Sequence, residues 1–140
     1  EKFDEEIWRA CFAKKYNGMI NEGESVKFSF CPKTNEIVTL AINRTKYANN
    51  TVEISKDTAT KIAEKYLNKS TATDMDIDLE IVRPNYFYNE LNGDESIYVK
   101  IGETRQAYVA KFNNESASTL YIDATTGEII GGDMILGGEY

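Results

Sequence analysis

Residues 74 to 80, Asp-Met-Asp-Ile-Asp-Leu-Glu, place carboxylates at every second position, the spacing that opens a calcium-binding loop. Such a loop needs glycine at its sixth position and a bidentate glutamate at its twelfth. Leu79 and Asn85 stand there instead. The same residues alternate with Ile77, Leu79 and Ile81, the period of a half-buried strand, so the acids are assigned to a solvated face. No metal site and no cofactor is expected. Histidine is absent, which removes Ser-His and Cys-His catalytic pairs and the commonest zinc ligand. Cys11 and Cys31 lie far from any Cys-x-x-Cys spacing, and two buried thiols are favoured over a disulfide. No glycine-rich loop follows a strand in a phosphate-cradling pattern. A carboxylate pair for glycoside hydrolysis stays open, because separation in space is invisible in sequence, but nothing promotes a particular pair. The chain is read as a non-enzyme.

With catalysis set aside, the elements that could carry a binding surface come forward. The 140 residues are 41% hydrophobic and 11% aromatic, enough for a core in one domain or in two small units sharing one. A net charge of −7 argues against nucleic acid or an anionic membrane surface as partner. No apolar run reaches the length of a membrane span. A monomer is expected, and the non-Met start fits part of something longer.

Phe3, Ile7, Trp8, Cys11 and Phe12 recur at helical spacing, which predicts a first helix over residues 3 to 17, ended by Asn17-Gly18. Val26, Phe28 and Phe30, then Val38, Leu40 and Ile42, alternate as two strands. Arg44 to Thr51 is polar and reads as a linker. Ala59, Ile62, Ala63, Tyr66 and Leu67 fall on one face of a second helix, from about Lys56 to Asn68, with Ser55 as its N-cap. Further strands are expected around Ile77, Val99 and Tyr108. Leu120 and Ile122 lead into a hairpin turn at Thr125-Thr126-Gly127, with Glu128, Ile129 and Ile130 returning.

Thr34-Asn35-Glu36-Ile37-Val38 matches Thr126-Gly127-Glu128-Ile129-Ile130, with Asn replacing Gly at an expected positive φ. The reading is a degenerate repeat. A helix-plus-hairpin unit spans 1–48, a second unit 49–131, and a loosely ordered tail 132–140. The fold class expected is α+β, an antiparallel sheet packed on helices.

The hairpin Tyr121-Ile-Asp123-Ala124-Thr-Thr126-Gly127-Glu128 resembles the closing signature of the PepSY domain family. Ile54-Ser-Lys-Asp-Thr-Ala59 and Ile62-Ala63-Glu-Lys-Tyr-Leu67 resemble its opening one, so the resemblance covers roughly 52 to 131. It implies a cystatin-like sheet wrapped around a helix. It also implies a non-catalytic, extracytoplasmic bacterial module related to the propeptides of thermolysin-like metallopeptidases. The implied partner is a protein, a peptidase or cell-wall hydrolase that the module inhibits or helps to fold; the rival is a scaffold domain of a larger envelope protein. Ala59, Ile62, Ala63, Tyr121, Asp123, Thr126, Gly127 and Glu128 carry the motif and read as structural. Tyr86, Phe87 and Tyr88, bulky aromatics in a loop, are the candidate partner contacts.

Overall fold

The computed structural model describes residues 6–67, 75–85, 87–89, 94–96, 102–112 and 118–133. Strands dominate. The element order is β1 (Trp8–Tyr16), β2 (Met19–Cys31), β3 (Glu36–Arg44), β4 (Lys46–Tyr47), α1 (Lys56–Leu67), β5 (Met75–Val82), β6 (Phe87–Asn89), β7 (Asp94–Ser96), β8 (Glu103–Phe112), β9 (Ser118–Asp123) and β10 (Ile129–Gly132).

This corrects the α+β expectation and its cystatin-like, two-unit form: the fold is mostly β, with one helix among the described residues. The expected first helix is where the reading fails. Residues 8 to 16 are strand β1, and residues 1–5 lie outside the described set. Trp8, Ala10 and Phe12 also alternate, and pairing with Phe30, Phe28 and Val26 of β2 selects that period. Asn17-Gly18 is a two-residue hairpin loop rather than a helix end. Both residues have positive φ, 52° and 80°, and Tyr16 pairs with Met19 across them. That is the backbone of a type I′ turn, whose twist matches the strands it joins.

β1, β2 and β3 form an antiparallel sheet in that order. The β2–β3 turn carries Asn35 at φ 57°, and the turn before β10 carries Gly127 at φ 78°. The turn correspondence read from sequence therefore holds in the backbone, while the helix correspondence does not.

The second sheet runs β10-β9-β8, and the far side of β8 pairs antiparallel with β5 from Arg105 to Phe112. β4 pairs parallel with Glu103 and Thr104 at the start of β8. β6 and β7 make a separate two-stranded ribbon. Helix α1 begins where expected: the Thr58 amide donates to Ser55 Oγ at 3.1 Å, satisfying one of the unpaired first-turn donors. Ala59 and Ala63, both fully buried, let the helix lie close on β8 and β9, where Tyr108, Ala110, Leu120 and Ile122 complete the core. Ile62 and Tyr66 are half-buried at its margin. On β5, Ile77 and Ile81 are buried while Asp76 and Asp78 are exposed, the division that the alternation predicts.

The two sheets meet at Gly23. Its carbonyl accepts from the Thr45 amide at 2.6 Å, and a side chain there would meet Thr104 Cγ2 at 2.5 Å. Only glycine lets the strands approach so closely. Residues 133 onward of the expected tail are described at Asp133 alone, and the strand expected around Val99 lies outside the described residues.

Candidate interaction surface

The motif hairpin is held from inside. Asp123 is almost fully buried, and its carboxylate lies 3.2 Å from the guanidinium of Arg105, itself largely covered. Asp123 Oδ1 also accepts from the Thr125 amide at 3.0 Å, the local bond that shapes an Asx turn. Its backbone accepts from Gly127 N–H at 2.9 Å and donates to Glu128 at 2.8 Å. Thr126 and Glu128 are exposed, and Thr126 Oγ1 accepts from the Glu128 amide at 3.2 Å. A carboxylate with its lone pairs engaged in this way is a fastener. Asp123 has no open position from which to act on a substrate.

Asn50, in the polar stretch expected to be a linker, completes the lock. Its Oδ1 accepts from the Gln106 amide at 2.8 Å, and its Nδ2 reaches the Gln106 carbonyl at 3.1 Å, Thr125 Oγ1 at 2.9 Å and Asp123 Oδ1 at 3.3 Å. Thr125 Oγ1 in turn donates to the Thr51 carbonyl at 2.6 Å. The only sequence signal was a polar, asparagine-rich stretch, which describes any loop.

Tyr121, half-buried, lines a cleft of about 770 Å³ between the sheets, opposite Lys27, Glu80 and Arg83. Burial raises its hydroxyl pKa, and the Asp133 and Glu80 carboxylates add to the rise. Asn21, fully buried in the same wall, accepts at Oδ1 from the Gly23 amide, while its Nδ2 has no partner among the described residues. Among the described residues no three acids, cysteines or histidines converge as metal ligands would. Glu80 of the acidic run lies 3.7 Å from Lys111. Asp74 lies outside the described residues.

Of the three aromatics expected to make a contact patch, Tyr86 lies outside the described residues. Phe87 and Tyr88 are described by backbone only, in β6, opposite Ser96 and Glu95. The cysteines are not joined: Cys11 is exposed on β1 and Cys31 is buried at the end of β2, so the expectation of two buried thiols holds for Cys31 alone.

A larger surface lies elsewhere. Register places Trp8, Ala10 and Phe12 of β1, Val26, Phe28 and Phe30 of β2, and Ile37, Leu40 and Ile42 of β3 on one face of the first sheet. Every one is apolar. Trp8 is 58% exposed, Phe12 67% and Leu40 60%. The Phe12 and Phe28 rings stack with centroids 6.2 Å apart at the centre. Arg9, Cys11, Ser25, Lys27, Ser29, Thr39 and Asn43 occupy the opposite face. An apolar stripe such as that of Trp8 and Phe12 is usually covered by a core. Here the described residues leave it open. An open apolar face of this extent is the mark of an interaction site.

Comparison with known proteins adds one match. The family model described as peptidase propeptide and YPEB domain covers residues 53–133, from the irregular segment before α1 to just past β10. No curated protein and no solved structure matches the chain.

Proposed function

The chain belongs to the peptidase propeptide and YPEB domain (PepSY) family, and on that premise we propose that it is an extracytoplasmic bacterial binding module that modulates a peptidase or cell-envelope hydrolase. The family is one of propeptide-like, non-catalytic domains. The observation that carries the reading is the use made of its signature residues. Ala59 and Ala63 seat the helix, Asp123 ties the hairpin to Arg105, and Gly127 turns it. Signature residues spent on holding the fold leave action to surfaces, by contact with a second protein. No helix of the described residues is long and apolar enough to cross a membrane.

The test is titration of the chain against a thermolysin-like metallopeptidase while peptide hydrolysis is followed. Saturable inhibition, or faster recovery of activity when the peptidase refolds with the chain present, supports modulation. Neither effect across several such enzymes favours the second reading, a scaffold domain of an envelope assembly. The open apolar face of β1–β3 gives that reading its own support, since a scaffold needs a permanent contact and such faces are suited to one.

A further inference from the structure

The two sheets carry the same apolar layout, and among the described residues only one of them is covered. In the second sheet Tyr108, Ala110 and Phe112 of β8 stand opposite Ile122, Leu120 and Ser118 of β9. In the first, Trp8, Ala10 and Phe12 of β1 stand opposite Phe30, Phe28 and Val26 of β2. An aromatic, an alanine and a phenylalanine recur at the same register. Both second strands then enter a turn with a positive-φ residue before Glu-Ile. On β8 and β9 this layout is the floor for α1, whose Ala59 and Ala63 rest on it, and Ala110, Leu120 and Ile122 are sealed from water. On β1 and β2 no described residue covers the equivalent floor.

We infer that the apolar face of β1–β3 seats an amphipathic, acidic helix of a partner protein, in the manner in which α1 lies on β8 and β9. Exposure supports it. Trp8, Phe12, Ile37, Leu40 and Ile42 are each more than half exposed on this face, a contiguous apolar patch of the kind that marks interaction sites.

Charge sets the character of the helix. Of the lysines and arginines between Trp8 and Arg44, Lys14 and Arg44 border the apolar face, while Arg9 and Lys27 lie on the opposite one. A groove of about 710 Å³ at the root of the face is lined by Phe12, Val26 and Ile42 together with Lys14, Arg44 and Lys46. Lys14 is held 3.2 Å from Glu24, and Lys46 lies 3.7 Å from Glu103. Arg44 makes no ion pair among the described residues. Acidic residues flanking an apolar stripe would meet this rim, whereas a second copy packed face to face would set basic rim against basic rim. The inference holds whether or not the partner is a peptidase.

Trp8 is the chain's single tryptophan and sits on the face, so it reports occupancy directly. The probe is a synthetic helical peptide with an Ala-x-x-Ile-Ala-x-x-Tyr stripe and glutamates on its flanks, titrated into the whole chain. A saturable blue shift of Trp8 emission with a gain of helical circular dichroism is the expected result. Phe12→Asp and Leu40→Asp, changes of exposed side chains whose folding is checked by far-UV circular dichroism and melting, should each weaken binding at least tenfold. Arg44→Glu should weaken it severalfold and reduce its salt dependence. Three results would overturn the inference: no saturable shift, equal binding of a scrambled peptide of the same composition, or a shift that follows protein concentration alone with dimers in sedimentation. The last would assign the face to a second copy.

Discussion

The side-chain amide of Asn50 pairs with the backbone of Gln106 as a neighbouring strand would, accepting from its N–H at 2.8 Å and donating to its carbonyl at 3.1 Å. β4 stops at Tyr47 and β9 stops at Asp123, and Asn50 fills the gap between them on β8. Asn50→Ala leaves the buried Gln106 amide without its acceptor, which costs about 1–3 kcal/mol. Asn50→Asp should cost more, because it removes both donors and sets a second carboxylate beside Asp123. Urea unfolding of the two variants gives the order, and equal midpoints would contradict it.

Asp123 and Arg105 should behave as a coupled pair. Removing one partner of a buried ion pair costs about 3–5 kcal/mol, since the other is left charged in the interior. Arg105→Met is expected to fall in that range. Adding Asp123→Asn, which removes the stranded charge and keeps an acceptor for the Thr125 amide, should recover much of the loss. The double-mutant cycle reads the coupling, and simple additivity would refute it.

At the junction of the sheets, Gly23→Ala would drive its Cβ into Thr104 Cγ2 at 2.5 Å. Overpacking of this kind costs about 1–3 kcal/mol. Thr104→Ser removes the offending methyl and keeps the hydroxyl that donates to the Lys46 carbonyl. The double variant should therefore melt above Gly23→Ala alone.

Glu24 should make the first sheet sensitive to acid. The Tyr16 hydroxyl, donating at 2.7 Å, and then Lys14 hold its carboxyl below the ordinary value of 4.5. A carboxylate whose pKa is lowered by folding stabilises the fold above the ordinary carboxylate range. That stabilisation is lost as pH falls through the lowered value. Tyr16→Phe removes the larger cause. The Glu24 carboxyl carbon, followed by NMR, should then titrate closer to 4.5, and β1 amides should lose protection at higher pH than in the unaltered chain.

What was legible in the sequence was local. The N-cap at Ser55, the alanines of α1, the alternation of β5 and the turn at Gly127 each depend on residues within one or two turns of chain, so their pattern is complete in a short window. The family resemblance rested on the same windows and is shown by the match over 53–133.

The remainder depended on distant partners. Ile7, Trp8, Cys11 and Phe12 satisfy a helical period while Trp8, Ala10 and Phe12 satisfy a strand period, and nothing inside that segment ranks the two. Pairing with Val26, Phe28 and Phe30 does, through a hairpin loop at Asn17-Gly18 that was read as a helix end. Asn50 gained its role only when Gln106 and Asp123 were brought to it from 56 and 73 residues away. Sequence by itself determined that the stripe through Trp8 and Phe12 is apolar. Tertiary structure decided that it belongs to an open sheet face, because burial is a property of what packs against a surface and α1 lies on β8 and β9 instead.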